Sequence, residues 1–472
     1  MFRSLVALAA AAFCVPLFGC RTDDFITDDY GTTGTPDAGS VSGGRGEGGS
    51  GGGGRGNDPD TQSGGGPAPA PPPPAPDPGA MPGSGAGVDM GMGQPAPPDA
   101  GAHADVAPAG PDATPSASAF KVAGVATWRG NAAAAFSVVH EVVCDPSVSS
   151  TMAAADPELT RRGLRGGFGL IVGRCESRNQ WNAVKTLVEH GHDVFSQTLE
   201  HPCLSTNMQV ASACDPMAPR TNDYGKQIDQ AATLLKQRAG VDPGFFLFPY
   251  DACDSRAVDH LKKQGYLGAR CGGQGTNPSN FGDSFKIAFD LWGPAFSSYY
   301  NDPACTDLRR FQSSPASLPA ACRRKVLERY LADTISRKAW GLQGFHGFDA
   351  DRGFQPISPA EYRQYLDALA ARVKAGELWV EGPSTVIRYR QARQQCPAPT
   401  VVSGSSLRFA APSDACQRVA TTLSYLVETT DGSDPATLSA AQAGTQRPVT
   451  KLGKGRFVVD ADPTKGDVFL AN

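Results

Sequence analysis

Leu187-Val-Glu-His-Gly-His192-Asp-Val-Phe-Ser-Gln197-Thr-Leu-Glu-His201-Pro-Cys203 is the stretch around which the rest of the chain can be ordered. Leu187 and Val188 complete an apolar helical stripe begun by Trp181 and Val184. Gly191 stops that helix, because glycine alone adopts the left-handed terminating conformation without steric cost. Residues 193–196 then read as a short strand, and Gln197 and His201 follow its end, four residues apart. A helix, a short strand and polar groups just beyond it make an α/β unit whose chemistry lies at the carboxyl end of the strand.

The same alternation extends outward. Residues 132–139, 167–172, 244–249, 340–345 and 378–381 read as further strands. Helical patterns lie at 180–190, 224–239, 254–264, 317–338 and 358–375. Ser358-Pro359-Ala360-Glu361 is a capping box with proline at the first helical position, and Gly376 ends that helix. Repeated strand–helix units imply a parallel sheet under covering helices, either a barrel or a doubly wound sheet. After Gln395 the pattern becomes short strands at 406–410, 420–428 and 456–459 between Asp-Gly, Gly-Lys-Gly and Asp-Pro turn signals. That is a small all-β module, either a carbohydrate-binding sandwich or a packing and spacer unit.

The amino terminus reads as an export signal. Arg3 precedes an apolar run from Leu5 to Phe18, and Leu17-Phe18-Gly19-Cys20 fits a bacterial lipobox. Lipidation of Cys20 is expected to anchor the protein in the bacterial cell envelope, at the outer membrane, without spanning it. Residues 21–118 are rich in Gly, Pro, Ala and Ser, cannot bury enough surface to offset their ordering entropy, and read as a tether that includes His103. About 350 residues remain for one large and one small domain. A net charge of −4 without a basic, aromatic-interleaved patch speaks against nucleic acid as a partner.

Beyond Cys20, ten cysteines follow: Cys144, Cys175, Cys203, Cys214, Cys253, Cys271, Cys305, Cys322, Cys396 and Cys416. An even number in an exported chain without Cys-x-x-Cys favours disulfides. Cys203–Cys214, Cys253–Cys271 and Cys305–Cys322 are natural local staples, and Cys396 and Cys416 could fasten the β module, although spacing does not fix the connectivity.

Four stretches, in order, resemble the motifs of the polysaccharide deacetylase (NodB-homology) family. They are Phe136-Ser-Val-Val-His140-Glu141, Gly191-His192…Gln197-x-x-x-His201, Phe248-Pro249-Tyr250 and the strand ending in His346. The resemblance covers about residues 122–393 and implies a distorted (β/α) barrel over 119–395, after the signal (1–19) and tether (20–118) and before the β module (396–472). It also implies a hydrolase of carbon–nitrogen bonds other than peptide bonds, which removes acetyl groups from cell-surface or cell-wall glycans. Acetylated polysaccharide or peptidoglycan would then be its partner.

Carried over position by position, the resemblance makes His140 the base, with Glu141 as the alternative, and His346 the acid. Pro249 and Tyr250 would form the oxyanion site. Glu141, Gln197 and His201 would hold a divalent metal, with zinc the expected ion. His192 matches a structural histidine of the family. The departures are specific: His140 and Glu141 stand for two aspartates, Gln197 for a histidine and Leu247 for an arginine. Glutamine is a poor zinc ligand beside imidazole or thiolate. The second reading is therefore a catalytically degenerate surface lipoprotein that binds glycan in the same cleft. A purely structural envelope protein is a third. Asp290 is a further candidate for the pocket wall.

Overall fold

The computed structural model describes residues 120–211, 213–292, 320–349, 351 and 355–471. Cys20, the tether and Cys305 lie outside them. Strand β1 (Phe120–Val125) comes first in the chain, and the barrel begins with β2 (Ala134–Val143). Around β2 the strands are β3 (Gly167–Leu170), β4 (Asp193–Ser196), β5 (Phe245–Leu247), β6 (Gly268–Gln274), β7 (Ile287–Leu291) and β8 (Trp340–Phe345). Each pairs in parallel with the next, and β2 pairs with both β3 and β8, which closes a seven-stranded barrel. β9 (Leu378–Val380) adds to the start of β2.

Most of the barrel strands are continuous apolar runs because both of their faces are covered. Val139, Phe195, Leu247, Leu291 and Leu342 fill one core cluster. Phe136, Val138 and Phe168 pack in another, with Val184 and Leu187 of the helix Trp181–Glu189. Each such side chain contributes roughly 1.5–3 kcal/mol on burial. The helix Pro359–Lys374 starts as its sequence dictates: Ser358 Oγ accepts the Glu361 N–H at 3.2 Å and donates to Glu361 Oε2 at 2.7 Å. No helix among the described residues is long and apolar enough to cross a membrane.

The all-β part contains β10 (Thr400–Val402), β11 (Ser406–Arg408), β12 (Leu423–Thr429), β13 (Ser439–Gln442), β14 (Thr445–Arg447), β15 (Val449–Gly453), β16 (Arg456–Ala461) and β17 (Val468–Ala471). They form two antiparallel sheets, β1-β12-β16-β15 and β10-β11-β17-β13-β14. β1 thus belongs to the module at the other end of the chain, with Phe120 opposite Thr429 and Val125 opposite Tyr425.

Between described residues there are four disulfides: Cys144–Cys175, Cys203–Cys214, Cys253–Cys271 and Cys396–Cys416. The first was not among the expected staples. It joins the end of β2 to the helix Val172–Ser177 that follows β3.

Candidate functional site

Every barrel strand delivers a residue to a cleft of about 500 Å³, all but β6 from the carboxyl half or just beyond. Glu141 comes from β2, Arg174 from beyond β3, Gln197 and His201 from beyond β4, and Tyr250 and Asp251 from beyond β5. Arg270, Leu291 and His346 complete the ring from β6, β7 and the end of β8. The backbone is strained here: six of the twelve non-glycine residues with positive φ are Val142, Cys144, Thr198, His201, Tyr250 and Asp251. Such conformations cost about 1–3 kcal/mol each and persist where surrounding structure holds them.

The centre of the cleft floor is an ion-pair network that the sequence did not announce. Arg270 is 2 % exposed, yet it bonds the Glu141 carboxylate with Nη1. Its other nitrogens reach Asp251 Oδ1 at 2.7 and 2.8 Å. Its guanidinium lies 4.3 Å from the centre of the Phe289 ring. Gly344 makes room for the pair, since a Cβ there would collide with Glu141 Oε1. Burial pushes the Glu141 carboxyl up, but Arg270 and the nearby histidines outweigh it and hold the group below its ordinary range. Burial also pulls Arg270 down, and its two carboxylates reverse that, so the guanidinium stays charged. Asp251 is shifted upward by burial despite Arg270.

Glu141, Gln197, His201, Tyr250 and His346 meet in this one cleft, and Pro249 is buried immediately behind Tyr250. His140 does not join them. Successive strand residues face opposite sides, so Glu141 points into the barrel and His140 out of it. There His140 stacks on Phe168, Phe345 and Phe348, and its Nε2 lies 2.8 Å from the Tyr362 hydroxyl of the helix Pro359–Lys374. This corrects the expectation of His140 as base: it lies behind the barrel wall, where burial lowers its pKa to about 3. Asp290 is likewise buried, but it is not among the cleft-lining residues. Arg270 could have been suspected, as a lone charge in the run Gly268-Ala-Arg270 beside buried strands. Asp145, Arg174 and Asp215 carried no local signal.

The expected metal ligands do not fit a metal as they stand. Gln197 Oε1 already accepts the Val142 N–H at 2.7 Å, which ties that amide oxygen to the backbone. The Glu141 carboxylate is engaged by Arg270. His201 keeps a free nitrogen: its Nε2 is buried without a hydrogen-bond partner, and the ring packs edge-on against Tyr250 at 4.9 Å. Zinc sites need three or four such ligands.

A different group, Asp156, His190 and His192, brings three candidate ligand atoms within 4.8 Å of one another and could hold a cation. Its hydrogen bonds describe a proton-linked cluster instead. His192 Nδ1 accepts the Gly166 N–H at 3.1 Å, which puts the ring proton on Nε2, facing Asp156 Oδ1 at 3.0 Å. Asp156 Oδ1 also lies 2.7 Å from His190 Nδ1. A metal on His192 Nε2 would leave that ring without either proton while Gly166 still donates to it.

Buried neutral histidines make acid stability a test of this arrangement. Burial holds His140 at about 3 and His201 at about 4, against 6.5 when unfolded. The unfolded chain therefore binds more protons below pH 6.5, and stability falls as pH drops. Between pH 7 and pH 5 each histidine should cost about 2 kcal/mol, read from urea midpoints, and His140→Phe should remove about half of the combined loss.

A closed parallel barrel with a polar cleft at the carboxyl ends of its strands defines a (β/α)-barrel protein. Residues 145–269 match the sequence model of the polysaccharide deacetylase family. Similar solved structures include a polysaccharide deacetylase from Mycobacterium smegmatis (14 % identity, TM-score 0.41, 60 % of this chain and 98 % of that one). Another is the peptidoglycan deacetylase PdaC from Bacillus subtilis (10 % identity, TM-score 0.32, 55 % and 95 %). A third is a pseudoenzyme of the CE4 family from Bacillus anthracis (11 % identity, TM-score 0.33, 53 % and 64 %). No curated protein matches the chain.

Proposed function

We propose that this chain is a glycan-binding member of the polysaccharide deacetylase family in which metal-assisted deacetylation has lapsed. One observation carries the reading: of the three expected ligands, Glu141 is ion-paired with Arg270 through Oε1, Gln197 accepts from the Val142 backbone, and His201 is the one imidazole of the set. No water-activating step is therefore derived through a metal. The cleft instead offers what sugars bind to, an aromatic face at Tyr250 and hydrogen-bonding groups at His201, His346 and Arg174. Cys20 and the segment to residue 118 would act as anchor and tether, presenting this cleft to cell-surface or cell-wall glycan.

Calorimetric titration of the full chain with glucosamine-based oligosaccharides, acetylated and not, tests the proposal. Binding is expected, and Tyr250→Ala should weaken it by about tenfold, as for a central aromatic contact. Acetyl release with added zinc should stay at the buffer rate. Release at a catalytic rate that His346→Ala abolishes would overturn the reading in favour of a working hydrolase. Absence of binding to any of these sugars would overturn it equally.

A further inference from the structure

The charges of the cleft do not balance. Glu141, Asp145, Asp215 and Asp251 line it against only Arg174 and Arg270. Arg270 is shared by Glu141 and Asp251, and Arg174 pairs with Asp145. Asp215 has no cationic partner among the described residues; its Oδ1 accepts the Met217 N–H at 2.8 Å. It stands close enough to Tyr250 to help raise that phenol's pKa, after burial. In the same cleft His201 Nε2 is buried without a partner.

We infer that the cleft selects a sugar bearing a free ammonium group, a de-N-acetylated amino sugar, over its acetylated form. This rests on the cleft being the glycan site. An acetamide brings one N–H and no charge, and it leaves the carboxylate surplus uncompensated. An ammonium brings three donors and the missing positive charge. A cleft lined by an excess of one sign of charge raises the local concentration of such a ligand. The family's metal chemistry would have supplied a cation from the protein side; here the ligand supplies it.

The test titrates the full chain with two probes, glucosamine tetrasaccharide fully deacetylated and the same tetrasaccharide fully N-acetylated. The deacetylated probe should bind about tenfold more tightly at low salt, the weight of one or two partly screened ion pairs. The preference should shrink on raising salt to 0.5 M. Asp215→Lys, at an exposed position, should abolish it, the loss falling on the deacetylated probe. Equal affinity, or preference for the acetylated probe, overturns the inference and leaves the glycan-binding reading standing. A preference that survives Asp215→Lys also overturns it, since the charge of this cleft would not be its cause. If neither probe binds, both readings fall.

Discussion

Arg270→Met should lower the unfolding free energy by about 3–5 kcal/mol, read from the urea midpoint at pH 7, because it leaves the buried Glu141 carboxylate without its counter-ion and takes the cation from half-buried Asp251. Glu141 is 1 % exposed and Arg270 2 %, so water cannot replace the lost partner. Ion pairs of this kind are often neutral against an apolar pair of similar size, whereas removing one member alone is costly. The double variant Arg270→Met/Glu141→Leu should therefore recover much of the loss. A single variant that costs less than about 1 kcal/mol would show that the network does not hold the cleft together.

Zinc affinity should rise by at least about a hundredfold in Val142→Asp/Gln197→His, measured by competition with a chelator of known affinity, since two new ligands join His201. The three positions already converge on the cleft, and Val142 N lies 2.7 Å from the Gln197 side chain. Val142 is held at φ 49°, where aspartate is better tolerated than a β-branched residue. The backbone should accept the change without further strain. Gln197→His alone should gain less, because one carboxylate would still be missing and Glu141 is occupied by Arg270. Adding His201→Ala to the double variant should remove the gain. Unchanged zinc binding in the double variant would mean that these side chains do not point at one another.

The barrel was legible because its strands are bounded, apolar and separated by amphipathic helices. Residues 193–196, 340–345 and the helix after Ser358 fall where pattern and capping put them. β6 and β7 escaped notice, since Gly268-Ala-Arg-Cys-Gly-Gly-Gln274 lacks an apolar run and carries the very arginine that matters. The site was legible only in part, for a related reason. Strand periodicity separates His140 from Glu141 as soon as the strand continues straight through them, but a sequence does not show whether it bends. The register shift in the β2–β3 ladder comes after His140, too late to turn that side chain inward. Arg270 reaches Glu141 across 129 positions of sequence, a pairing that no local pattern encodes.

The pairing of β1 with β12 sets a timetable for folding. Phe120 cannot meet Thr429 until nearly the whole chain has been made, whereas each barrel strand pairs with partners that mostly lie within a hundred residues. Contacts so distant in sequence form late, because the intervening loop must close before they reward it. As the chain emerges, β1 waits as an unpaired strand while the barrel assembles behind it. The last eighty residues then seal both ends of the molecule into one sheet. A chain stopped early, just after the helix Pro383–Gln395, would leave that first strand exposed as a template for pairing with other chains, and aggregation rather than a clean barrel is its natural fate.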